Sequence, residues 1–130
     1  MSKFFSTYKV IFYIINILLI ILYLYPGSLL GWIIYENKSI QPQITPDFII
    51  SSNHFYVFVL ISIIGFLTFA NSNKNILLLY LIFLSITLEI FHLLIPERTF
   101  QWSDLFGNLL GVIVVILLNN FINKYGRFKK

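Results

Sequence analysis

The chain contains no cysteine, which excludes disulfides, thiolate metal sites and cysteine nucleophiles. Charge is scarce too: 11% of the 130 residues are Asp, Glu, Lys or Arg, with five acids against nine bases. A soluble domain carries roughly 25% charged and roughly 45–50% apolar residues. Here the apolar set reaches 58% and mean hydropathy is +0.87. So little polar surface cannot cover a soluble core of this size, and lipid is expected as part of the solvent. The formal charge of +4 does not point to nucleic acid. The bases sit in the tails and short turns between apolar runs, which is how membrane topology is encoded, and no basic face exists to carry a nucleic-acid partner.

A bilayer core is crossed by about 20 predominantly apolar residues in helix. Four segments read as spans: residues 10–25, 54–70, 76–95 and 103–122. Pro26-Gly27 stops the first, and the polar turn Asn71-Ser72-Asn73-Lys74-Asn75 separates the second from the third. No small-residue cleavage site follows the first span, so it is expected to remain as a span and not to be a signal peptide. Residues 28–35 (SLLGWIIY) are too short to cross and, with Trp32 and Tyr35, suit an interfacial segment. Residues 36–48, with Pro42 and Pro46, read as a loop. The expected fold class is all-α: an integral membrane four-helix bundle forming a single domain over 1–130. Lys3, Lys9, Lys74, Lys124, Arg127, Lys129 and Lys130 fall on one side, and Lys38 and Arg98 on the other. Both termini are therefore expected in the cytoplasm.

The few ionisable residues of the spans gather at the opposite side. A charged group at the bilayer centre costs at least about 2.5–3.5 kcal/mol, so such residues face inward or act. The candidates are His54, Glu89, His92, Arg98, Asp104 and Asn108. Glu89 shares a helix face with Ser85 and His92, and Asp104 shares one with Asn108. The planar fork of Arg98 can serve Glu89 and Asp104 together, or meet an anionic head group. Ser103, Gly107 and Gly111 form a small-xxx-small stripe that permits close helix approach. His54, Glu89, His92 and Asp104 are metal-ligand types, but no tight spacing motif links them, and neither metal nor cofactor is expected. Glu89 with a histidine suits general acid–base work, yet no nucleophile or substrate loop stands out, so no catalytic residue is assigned and binding is expected before catalysis.

The stretch from Glu89 to Gly111 also carries a resemblance. An acidic residue late in one span (Glu89), the turn Pro96-Glu97-Arg98, and Asp104, Asn108 and Gly111 in an Asp-x-x-x-Asn-x-x-Gly entry to the last span resemble the signature of the VanZ-like family of small bacterial membrane proteins. His54-Phe55 and Pro26-Gly27 are similar to further positions of that family. The chain departs from it at Ser51-Ser52-Asn53, where Asp-Lys is frequent, and at His92, where Gln is frequent. The resemblance implies a multi-pass protein of the bacterial cytoplasmic membrane, with an outer-leaflet polar site that modulates glycopeptide susceptibility or binds envelope lipid head groups. Membrane lipid is the expected partner, with an envelope intermediate or a membrane protein docked on the glycine stripe as further partners. The alternatives are a small enzyme processing a lipid-linked envelope intermediate and a structural subunit of a membrane complex.

Overall fold

The computed structural model describes the backbone of residues 2–69 and 73–126, and the side chains of residues 7–69 and 73–126. Ala70, Asn71, Ser72, Arg127, Lys129, Lys130 and the Lys3 side chain, used above for span ends and topology, lie outside the described residues. The described residues form five helices and no strand: α1 (Ser2–Leu24), α2 (Leu29–Tyr35), α3 (Ser52–Thr68), α4 (Lys74–Phe91) and α5 (Trp102–Gly126). Among them Thr7–Leu24, Lys74–Phe91 and Trp102–Gly126 are long and apolar enough to cross a membrane, while α3 is apolar but has 17 residues. At 1.5 Å per residue α3 measures about 26 Å.

Local chemistry sets these boundaries. Pro26 cannot continue α1, and Gly27 turns the chain at φ 72, a region that only glycine enters without steric cost. The short apolar segment that follows is a two-turn helix. Ser28 caps α2 by accepting from the Gly31 N–H at 2.9 Å, and Glu36 closes it in a left-handed conformation. The third span was expected to run to Ile95, but α4 stops at Phe91. Pro96 disfavours the helical conformation at Ile95. The chain therefore leaves α4 through tighter turns, Leu93 N to Ile90 O at 3.0 Å and Leu94 N to Phe91 O at 2.9 Å. α5, by contrast, runs longer than the expected 103–122 at both ends.

α3 lies in the middle, packed most extensively on α5 and also on α1 and α4. Phe58, Ile61, Leu81 and Val112 are fully buried between these helices. α1 contributes Phe12, Asn16, Leu19 and Tyr23, a buried stripe at 4-3-4 spacing. The outward faces stay apolar: Ile17, Leu79, Phe83 and Leu117 are each more than half exposed. An apolar belt of this extent is foreign to the surface of a soluble monomer.

The glycine stripe has its partner within the chain. A Cβ at Gly111 would stand 2.7 Å from Phe55 O and 2.9 Å from Phe58 Cβ, and one at Gly107 would stand 2.8 Å from Ser51 O. Ser103 O accepts from Ser51 N at 3.1 Å on the same face. α3 and its N-cap Ser51 therefore pack against Gly107 and Gly111, with Ser103 tied to the same face.

Candidate functional site

Four helix ends meet where α1 and α4 finish and α3 and α5 begin, and the polar residues of the sequence converge there. Asn108 organises the cluster. Its Nδ2 donates to Ser85 O at 3.1 Å, so its Oδ1 points the other way as an acceptor. Tyr23 donates its hydroxyl to that oxygen at 2.8 Å. His54 Nδ1 lies 3.1 Å from the same oxygen and 3.0 Å from the Tyr23 hydroxyl. An oxygen that only accepts, placed this close, requires the His54 proton on Nδ1. His54 Nε2 is then turned toward Asp104 Oδ2, 3.5 Å away.

His92 is arranged in the same sense. Its Nε2 lies 3.1 Å from the backbone carbonyl of Tyr23, which can only accept, so Nε2 carries a proton. Its Nδ1 faces Glu89 Oε2 at 3.3 Å. Glu89 is fully buried. Its Oε1 accepts from the Gln101 N–H at 2.9 Å, tying the loop before α5 to the end of α4. Its Oε2 has no hydrogen-bond partner, although His54 Nδ1 also lies 4.0 Å away. His54, Glu89 and Asp104 each present a ligand-type atom, all within 4.8 Å of one another.

Arg98 is placed differently from the expected carboxylate knot. Among the described residues it makes no ion pair with Glu89 or Asp104. Instead Nε donates to Tyr25 O at 3.2 Å and a terminal nitrogen donates to Leu22 O at 2.9 Å. The physical reason is the end of α1: Pro26 stops the helix and leaves its last carbonyls without intrahelical donors, and Arg98 supplies them. Partial burial draws the Arg98 guanidinium down from its ordinary value, but an arginine remains cationic.

Two cavities open onto this cluster. The polar one, about 490 Å³, is lined by Lys38, Asp47, His54, His92, Arg98 and Asp104 among others. The apolar one, about 230 Å³, runs between α1, α2 and α3 along Leu19, Leu22, Leu29 and Val57. They share Ser28, Gln41, Gln43, Asn53, His54 and Arg98. The loop before α3 is pinned over them. Asn53 donates to Pro42 O at 2.6 Å and accepts from Ile44 N at 3.0 Å, while Asp47 accepts from Ser52 N at 2.8 Å.

Sequence reasoning named His54, Glu89, His92, Asp104 and Asn108 separately, and the structure brings them into one cluster. It missed Tyr23, which lies inside the first apolar run. The signal was the 4-3-4 stripe of α1, in which Asn16 and Tyr23 are the polar members. Asn53 and Gln101 were also missed. Chemically the cluster offers two imidazoles, two carboxylates and a phenol in a buried setting, beside a cavity with a wet wall and a greasy one. Neither a family model, nor a curated protein, nor a solved structure matches the chain.

Proposed function

We propose that the chain is a four-span protein of a bacterial cytoplasmic membrane whose polar site binds the head group of an outer-leaflet envelope lipid or lipid-linked intermediate. In this reading α1, α3, α4 and α5 cross, and both termini are cytoplasmic. Seven of the nine bases then lie on the cytoplasmic side, in keeping with the charge rule for short loops. α3, at 17 residues, sits at the short limit of the crossing range of about 17–25. The site end of the helices accordingly faces outward.

The observation that carries the reading is the continuity of the two cavities through His54 and Arg98. An amphiphile needs a wet pocket for its head and a dry one for its chain, meeting at the junction. Arg98 spends two of its donors on α1, and the guanidinium has five, so three remain for a phosphate oxygen. Lys38 lines the same polar cavity. The VanZ-like resemblance of Glu89–Gly111 supports the same reading, and occupancy by an envelope intermediate is a route to altered glycopeptide susceptibility.

Native mass spectrometry of detergent-released protein titrated with phosphate-headed lipids tests this. One lipid should be retained per chain. Arg98→Ala, which removes the cation, and Val57→Trp, which fills the apolar cavity, should each weaken retention at least about tenfold with helicity preserved. Undiminished retention in both variants would refute the reading.

A further inference from the structure

We infer that His54, Glu89 and Asp104 form a binding site for a first-row divalent cation such as zinc. This site is independent of any bound lipid and follows from how the side chains of the cluster face one another. The Nδ1 proton of His54 is committed to Asn108 Oδ1 and the Tyr23 oxygen. His54 Nε2 faces Asp104 Oδ2 across 3.5 Å, and in the neutral ring this nitrogen carries the lone pair. Glu89 Oε2, fully buried and without a hydrogen-bond partner, lies 4.0 Å from His54 Nδ1 and 3.3 Å from His92 Nδ1. One ligand-type atom from each of His54, Glu89 and Asp104 thus lies within 4.8 Å of the other two. A cation held by the three residues, or protons on His54 and His92, would offset the two carboxylates of this site.

A divalent cation suits it in charge, donor type and size. Two carboxylates and a neutral imidazole neutralise a 2+ ion and are accepted zinc donors. Ligand atoms about 2.1 Å from a tetrahedral ion lie about 3.4 Å from one another. The His54–Asp104 separation of 3.5 Å already meets this. The three-atom group, within 4.8 Å, would contract by up to about 1.4 Å to reach that spacing. The surroundings supply what a metal-ligating histidine requires: its other ring N–H goes to an oriented carbonyl-type oxygen, which is itself held by Ser85 O through the Asn108 amide. The polar cavity, lined by His54 and Asp104, gives the ion a path in and leaves a coordination position for water or for a ligand oxygen.

The test is zinc titration of tag-free protein in detergent, followed by calorimetry and by metal analysis after gel filtration. One zinc per chain is expected. Asp104→Asn and His54→Gln should each weaken it at least about a hundredfold. Tyr23→Phe, which touches only the support of His54, should weaken it about 10- to 100-fold. Uptake should fall as pH is lowered, because protons compete for the same lone pairs. Unfolding of one variant does not rescue the proposal, since wild-type protein must itself bind zinc stoichiometrically. Protein that binds no zinc, or binds it equally well as Asp104→Asn, overturns the site and assigns the converging atoms to protons alone.

Discussion

Substitution of Gly111 by alanine probes the contact on which the whole site depends. The new Cβ would lie 2.7 Å from Phe55 O, 2.9 Å from Phe58 Cβ and 3.0 Å from Val59 N. Two of these atoms are backbone and cannot rotate away. Ordinary contact begins near 3.4 Å, so α3 and α5 must part locally by up to about 0.7 Å. A gap of about 0.5–1 Å forfeits a quarter to a half of a dispersion contact, and a large buried side chain makes about 40–60 contacts of about 0.1–0.2 kcal/mol each. Phe58 and Val112, both fully buried at this seam, lose contact together. A quarter of one such side chain's contacts is ~1–3 kcal/mol, which coincides with the usual cost of overpacking, about 1–3 kcal/mol. Gly126→Ala is the internal control, because nothing stands within 4 Å of its Cβ position. Reversible unfolding in mixed micelles, with helicity as the readout, should show the loss for Gly111→Ala and none for Gly126→Ala. Equal stability of the two variants would show that the close α3–α5 approach is wrong, and with it the placement of His54 beside Asn108.

Three further outcomes follow from the same geometry. Tyr23→Phe removes the hydroxyl between His54 and Asn108 and leaves buried groups short of a partner, at a cost of about 1–3 kcal/mol in the same unfolding assay. Arg98→Ala uncovers the carbonyls of Leu22 and Tyr25, so hydrogen exchange should quicken in the last turn of α1 while the middle of α5 is unchanged. Ser28→Ala deletes the cap of α2, worth about 0.5–2 kcal/mol, and should raise exchange across residues 29–35 without loosening α3. Uniform exchange changes across the chain in either of the last two cases would contradict the local roles assigned here.

The all-helical class and the presence of long apolar helices were legible in the sequence because they depend on quantities that add along the chain: hydropathy, run length and helix-stopping residues. Glu89, His54, Asp104 and Asn108 were legible for a related reason, since a polar group in an apolar run is costly and stands out wherever it lies. Contacts do not add in this way. Whether Arg98 serves carboxylates or carbonyls depended on how close the end of α1 comes to the loop between α4 and α5, which no spacing encodes. Tyr23 is one of eight tyrosines, and only the approach of α1 to α3 and α5 distinguishes it. The glycine stripe shows that two helices can touch closely, but not that α3 is the helix that does so. Composition by itself thus determined that this chain buries its polar residues among apolar helices. The tertiary structure alone decided that two histidines and two carboxylates would face one another at the mouth of a cavity, because that depends on how four helix ends approach in space.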